Sequence, residues 1–368
     1  MPTGACLVAD SVPLRARSCC CILHSISGMS SIATAPDRWT AWNSFLERTP
    51  ETGFMQSSYW ADFRLAYGFE HFGVIVKSKG EILGGALVQR YSHSPDACFY
   101  YVQDGPVVPN DPELAAEVFN AVLADIENHR RSEIKTVSHL RIEPRWQHKP
   151  EYLSDFTICS NDTDFFEPRR TLWVDLRPPE GAILAQMKPK GRYNIHVARR
   201  HNVSIVEDTS DKGLEDFQEI YEDMSSRQGI EPKSPDYFES LIATLSPQRK
   251  VSLLFAEHEN LRLAAAIVVY FGSRATYFFG GSLEVRRNVM ASYLLHFEIM
   301  CKAKALGLDW YDFWGISSED DPDDPWQNIT TFKRKFGGRE MDFGPTLDYV
   351  YDPAAYEAYF GRSNGVEE

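Results

Sequence analysis

Apolar and polar positions change period along this chain in a fixed order, and the order occurs twice. Trp39, Trp42, Phe45 and Leu46 share one face of a short helix from Pro36 to Leu46. In Gln56-Ser-Ser-Tyr-Trp60, Ser57 or Ser58 can cap a second helix. His71 to Lys77 then alternates, Ser78-Lys79-Gly80 turns the chain, Ile82 to Arg90 runs back, and Cys98 to Val102 makes a third strand. From Pro112 to Arg130 the period is helical, with Leu114, Val118, Ala121, Val122 and Ile126 on one face. Val137 to Ile142 closes the unit as a strand. Further on, Val251 to Glu257 and Leu261 to Tyr270 form a hairpin and Ala275 to Phe279 a third strand. Arg286 to Leu306 reads as a helix and Trp310 to Trp314 as the closing strand.

This repeat of three strands, a helix and a strand is weak in letters but consistent in order and length. Long antiparallel strands followed by a crossover helix predict an α/β (α+β) chain with two tandem acetyltransferase-like subdomains and mixed, mostly antiparallel sheets. The subdomains are expected over residues 31–166 and 167–340, with a boundary near Glu167-Pro-Arg-Arg170 and a C-terminal segment over 341–368. Residues 1–30 carry no periodic apolar pattern. They are expected to be disordered, with Met29 as an alternative start.

Composition narrows the chemistry. The 368 residues carry a net charge of −14, from 38 Lys+Arg against 52 Asp+Glu, so a polyanionic ligand has to be met by a local basic patch. No apolar run is long enough to cross a membrane. The seven cysteines form no C-x-x-C pair and no disulfide framework, which suits a reducing cytoplasm.

Two basic patches stand out. Met187 to His201 holds Lys188, Lys190, Arg192, Arg199 and Arg200 without an acid, and Ile195 and Ala198 are placed to face a core. It reads either as a phosphate seat, with Tyr193 stacking on a base or sugar, or as an ordinary solvated helix face. In Asn328 to Gly338, Lys333, Arg334 and Lys335 lie between Phe332 and Phe336, after the acidic loop Glu319 to Asp324. That segment suits stabilisation of negative charge on a substrate, or is a solvated helix end. His196 and His201 are five apart and fall on different faces, so no metal site is expected. The stretch Arg286 to Ala291 sits where an acetyltransferase would cradle coenzyme A, but Val289 replaces the needed glycine, and Asn110 to Glu113 in the first unit is acidic. No cofactor is expected.

Six segments resemble FemX/FemAB-type enzymes, the aminoacyltransferases of peptidoglycan interpeptide bridges. They are Gln56-Ser-Ser-Tyr-Trp60, Thr171 to Asp175, Met187 to Ala198, Tyr277 to Ser282, Tyr311 to Gly315 and Phe332 to Gly337, and the resemblance covers about residues 50–350 in order. It implies that the final segment returns to the first subdomain. It also implies transfer of an amino acid from aminoacyl-tRNA to an amine of a UDP- or lipid-linked peptidoglycan precursor. A cytoplasmic enzyme results, peripherally associated with the inner face of the membrane when the acceptor is lipid-linked. Phe332 and Lys333 match the family's Phe-Lys pair and are the implied catalytic residues. Arg64, Lys233 with Tyr237, Arg192, Tyr277 and Phe279 are the implied substrate-binding residues. Phe279 stands where some members have Tyr, and Arg64 and Lys233 exchange the cation types of the UDP-substrate members. No long insert lies between Asp211 and Lys250, as in the compact FemX type.

The implied reaction is aminolysis of an ester, with Lys333 held by Phe332 and Phe336 to offset the developing negative charge. The residues name no general base. Asp312 and Asp104 read as structural acceptors. Two other readings share the fold: a coenzyme-A-dependent N-acyltransferase, and a catalytically idle polyanion-binding module of envelope or exopolysaccharide assembly.

Overall fold

The computed structural model describes residues 29–31, 36–50, 52–159, 167–317 and 326–363. The expectation for residues 1–28 and the acidic loop Glu319 to Asp324 lie outside these. The chain divides into two compact units, Met1–Glu167 with Phe343–Glu368, and Pro168–Asp342.

The first unit opens with β1 (Met29–Ser31), α1 (Pro36–Arg48) and α2 (Ser58–Ala66). The expected disorder of residues 1–30 therefore does not extend to Met29 and Ser30, which pair antiparallel with Lys77 and Ser78. An edge strand is held by backbone hydrogen bonds, which leave no apolar pattern to read. The Ser57 hydroxyl caps α2 by accepting from the Trp60 N–H at 3.2 Å. Gln56, just before it, is fully buried, and its Oε1 accepts from the Leu87 N–H at 2.8 Å. The strands β2 (His71–Ser78), β3 (Glu81–Ser92) and β4 (Ala97–Gln103) follow, then α3 (Pro112–Arg131), β5 (Thr136–Glu143) and β6 (Thr157–Ile158).

The second unit begins with β7 (Arg170–Asp175), α4 (Glu180–Gln186), α5 (Pro189–Arg200) and β8 (Ser204–Glu207). Next come α6 (Asp211–Gln228), α7 (Pro235–Leu245), β9 (Val251–His258), β10 (Leu261–Phe271) and β11 (Arg274–Ser282). It ends with α8 (Ala291–Ala305), β12 (Trp310–Gly315), α9 (Gln327–Lys333) and β13 (Arg339–Asp342). The chain then returns to the first unit as β14 (Leu347–Val350) and α10 (Pro353–Ser363).

The first sheet has the order β1-β2-β3-β4-β5-β14-β6 and the second β13-β7-β12-β11-β10-β9-β8. Each contains a parallel pair, β4 with β5 and β11 with β12, joined by a crossover helix. On one face of the first sheet α3 buries Val118, Phe119, Val122 and Ile126. The returning strand is fastened by a buried ion pair: Arg141 Nε and Nη2 donate to the two Asp348 carboxylate oxygens, each at 2.8 Å. The Tyr356 hydroxyl on α10 donates to the same carboxylate at 2.9 Å.

In the second unit one core lies between the sheet and helices α5 and α8, including Ile195, Ala198, Leu294, Phe297, Tyr311, Phe313 and Phe336. The helix expected from Arg286 starts only at Ala291. Arg286 and Met290 both adopt left-handed backbone angles, φ 55° and 58°, around a 3-10 turn at Arg287–Val289. Within this turn the Val289 and Met290 N–H groups donate to the Arg286 and Arg287 carbonyls.

Candidate active site

Lys333 ends α9 at the close of the second unit, and it is 6% exposed. Its Nζ donates to the Gly315 carbonyl at 2.5 Å and lies 5.9 Å from the centre of the Tyr277 ring. Burial pushes the ammonium down to about 7, against the opposing field of Asp312. A solvated helix end would leave this lysine in water, so that reading fails for Lys333.

Irregularities in two adjacent strands shape the surroundings of Lys333. Between β10 and β11 the register shifts, so Ile267 faces Phe279 while Val268 faces Tyr277. Strict alternation would put Tyr277 and Phe279 on one face; the shift sends them to opposite faces. Tyr277 turns to α8, edge-on to His296 at 4.6 Å, while Phe279 turns to α6 and α7. Between β12 and β7 the register shifts again, between Asp312 and Gly315. Trp314 there takes φ 61°, and its N–H donates to Asp312 Oδ1 at 2.8 Å. Such a backbone costs about 1–3 kcal/mol and persists where the surroundings fix it. Gly315 fits because Trp326 lies against it: a Cβ there would stand 2.4 Å from that ring.

The aromatic rings flanking Lys333 in sequence do not hold its ammonium. Phe332 and Phe336 pack on Tyr293 and His296, with ring centres 5.0 to 5.6 Å apart. Neighbouring residues on a helix point to different faces, and Tyr277 on β11 supplies the nearby ring instead. His296 is buried and shares a 2.7 Å hydrogen bond with the Tyr311 hydroxyl. Burial, then the nearby Lys333, pushes the imidazole down to about 3, so it is neutral at physiological pH.

The other expected site residues fall into three places. Lys233 is half-buried, with Nζ 5.8 Å from the Tyr237 ring centre, and Tyr237 meets Phe279 edge-on at 5.7 Å. Tyr221 and Phe238 complete this aromatic cluster. Arg192, expected at the substrate, already uses one guanidinium nitrogen within the second unit. Its Nη1 donates to the Met187 and Ala185 carbonyls, closing the end of α4. Arg64 belongs to the first unit and is 9% exposed there. Its guanidinium lies 3.8 Å from the Phe69 ring centre, and Nη2 donates to the Tyr91 hydroxyl at 2.6 Å.

Sequence reasoning missed Gly315 as the acceptor for Lys333, and His296, hydrogen-bonded to Tyr311, as its neutral polar neighbour. His296 sits among Leu294, Leu295 and Phe297 and reads as core. The one available signal for Gly315 was its place straight after the aromatic strand Trp310 to Trp314.

Burial pushes the Cys98 thiol up to about 11 and Cys301 to about 12, so neither offers a thiolate. Among the described residues, no group of three or more His, Cys, Asp or Glu is placed to hold a metal ion. Among them also, no helix is long and apolar enough to cross a membrane.

Comparison with known proteins agrees with this architecture. The chain is 22% identical to the UDP-N-acetylmuramoylpentapeptide-lysine N(6)-alanyltransferase of Weissella viridescens, over 87% of this chain and 96% of that protein. It is 19% identical to the lipid II:glycine glycyltransferase of Staphylococcus saprophyticus, over 86% and 92%. The crystal structure of FemX superposes with a TM-score of 0.78 at 16% identity, covering 89% of this chain and 99% of that one. A tandem GNAT protein from the clavulanic acid biosynthesis pathway has the same fold, with a TM-score of 0.52 at 13% identity and 88% and 99% coverage. The FemAB family profile matches residues 39–167, 154–259 and 247–360, and the chain therefore belongs to the FemAB family.

Proposed function

We propose that this chain is an aminoacyltransferase that moves an amino acid from an aminoacyl-tRNA to an amine of a UDP- or lipid-linked peptidoglycan precursor. The amine nitrogen attacks the ester carbonyl carbon, a C–N bond forms, and the C–O bond to the ribose breaks. The amine gives up a proton and the departing ribose oxygen takes one up. An oxyanion forms between these events, and Lys333 is the group that meets it.

The observation that carries this reading is the setting of Lys333: a buried lysine at the junction of two register shifts, whose ammonium burial pushes down to about 7. An ordinary structural lysine keeps its ammonium in water or in an ion pair. Lys333 spends burial on a charge it holds only part of the time, and an approaching anion would restore the proton. Lys233 and Tyr237, with Phe279 beside them, are assigned to the acceptor. Arg64 is assigned to substrate binding on the family resemblance, and Phe69 and Tyr91 clamp its guanidinium. Where the acceptor is lipid-linked, the enzyme works at the inner face of the membrane.

Coenzyme A is the weaker candidate as donor. In the turn before α8 the Val289 and Met290 N–H groups are bonded internally, and a buried Val289 stands where a pyrophosphate cradle needs a glycine.

The experiment is direct. The protein is incubated with a pool of charged tRNAs and, separately, with UDP-linked and lipid-linked precursors, and the products are weighed. A precursor heavier by one amino-acid residue is expected, dependent on the charged tRNA. Transfer from acetyl-coenzyme A in its place would overturn the reading. Precursor binding with no transfer would leave a polyanion-binding module.

A further inference from the structure

Helix α5 spends its apolar residues inward: Ile195, Val197 and Ala198 are buried. Its outward face is cationic and aromatic. Lys188, Lys190, His196 and Arg200 are exposed, and Tyr193 is 54% exposed. Lys190 Nζ and Arg200 Cζ lie 5.4 and 5.9 Å from the Tyr193 ring centre, so the ring ties the two cations into one stripe.

Most arginines of this unit are neutralised by neighbours. Arg199 pairs with Glu298, Arg227 with Asp223 and Glu284, Arg262 with Asp208, and Arg334 with Glu340. Lys188, Lys190 and Arg200 have no acidic partner among the described residues. In a chain of net charge −14, uncompensated cations held in register by an exposed ring are a selective feature.

The stripe also leads to the site. The Lys188 N–H donates to the Lys335 carbonyl at 3.0 Å, and a Cβ on Gly191 would stand 2.5 Å from that same oxygen. Helix α5 is therefore seated against the segment that carries Lys333.

A lipid surface is a poor match, because interfacial helices insert apolar side chains and α5 has placed its own in the core. A phosphate backbone is a good one. Lys190 to Arg200 spans about 15 Å of helix, and one nucleic-acid strand rises by roughly four nucleotides over that length. An exposed ring among such cations can also take a base.

We infer that Lys188, Lys190, Tyr193 and Arg200 on α5 form the seat for the RNA body of the acyl donor, gripping its backbone away from the reacting ester. The identity of the RNA rests on the transfer reading above; the polyanion seat does not.

Two measurements separate them. In the first, binding of uncharged tRNA is titrated against salt for the full chain and for Lys190→Gln/Tyr193→Ala/Arg200→Gln. The variant is expected to bind about tenfold more weakly, and its slope of log K against log salt to be shallower by about 2. In the second, kcat/KM is compared for full-length aminoacyl-tRNA and a 3′-aminoacyl dinucleotide. The ratio of the two should fall about tenfold in the variant, in line with the lost binding. Unchanged tRNA binding in the variant overturns the inference. So does loss of binding to phosphatidylglycerol vesicles with tRNA binding intact, which would make the stripe a lipid contact. If the unmodified protein transfers from neither donor but binds tRNA through the stripe, the transfer reading falls and the seat stands.

Discussion

The two units follow the same order of strands and crossover helix, yet they treat a cation beyond the closing strand in opposite ways. In the first, Arg145 follows β5, and its Nε donates to Asp104 Oδ1 at 2.5 Å, both side chains nearly inaccessible. Arg141, within β5, is matched just as fully by Asp348. In the second, Lys333 lies against the end of β12 with a carbonyl as its hydrogen-bond partner. No carboxylate stands within ion-pair distance of it among the described residues. Neutralised charge builds a rigid framework; a buried charge left short of a partner stays available to a ligand. On the reading proposed above, the repeat has divided its labour, with the first unit's closing strand serving integrity and the second's serving chemistry.

The strongest way to break that comparison is to damage the framework pair. Arg141→Met leaves Asp348 buried and unmatched, and should lower the unfolding free energy by about 3–5 kcal/mol. Urea unfolding of the full chain reads this out. Arg141→Met with Asp348→Leu should recover most of the loss, because two apolar groups leave no orphan charge. A single variant as stable as the parent would mean that the pair is not what fastens β14.

Lys333 should behave in the opposite sense. Its folded-state value of about 7 lies below the ordinary 10.5. The unfolded chain thus binds more protons between those two values, and the contribution of Lys333 to stability rises with pH through that window. Below about pH 7 its cost is felt in full. Lys333→Met should therefore melt no lower than the parent at pH 6, while kcat falls by roughly 10²–10³ with little change in either KM. A variant that loses activity by unfolding would return Lys333 to the framework class.

How much of this contrast the chain discloses in its letters depends on the kind of interaction. The helical period at Pro112 to Arg130 announces its element because burial of one face imposes it, and His71 to Lys77 is legible as a strand although both of its faces are buried. The Ser57 cap is legible for the same local reason. The order of the six segments from Gln56 to Gly337 carries the family. The opposite facing of Tyr277 and Phe279 is not legible, since a register shift is decided by the partner strand. The start of α8 is missed because Arg286 and Met290 take left-handed angles that side chains of their type seldom adopt. The burial of Lys333 is hidden too: the basic residues Arg334 and Lys335 that follow make it look solvated, and only the placement of Gly315 and Tyr277 removes it from water.

A pH series sharpens the contrast further. Arginine stays protonated across the accessible range, whereas Lys333 loses its proton near 7. If the ammonium is the working form, kcat/KM of the parent should fall relative to Lys333→Arg as pH rises. The ratio should drop by up to about tenfold between pH 6 and 8, as titration of one group allows. A ratio that rises instead would identify the free amine as the working form, and so as the missing base.

The smallest effect expected concerns single cations assigned to substrate binding, Arg64 and Lys233. Arg64 is pinned by Phe69 and Tyr91, so Arg64→Ala removes packing as well as charge. Its effect on binding would be entangled with lost stability. Lys233 is half-buried, with its ammonium beside Tyr237, and its removal disturbs little else. Lys233→Ala should leave kcat and the melting temperature unchanged and raise the acceptor KM by about fivefold at low salt, with no change in the donor KM. Because a partly exposed charge is screened, the difference between parent and variant should shrink as salt rises toward 0.5 M, at a Debye length of about 4–5 Å. Equal changes in both KM values would move the acceptor away from Lys233. A kcat defect would mean that the second unit's cations act together, and that the division between binding and chemistry within that unit is drawn in the wrong place.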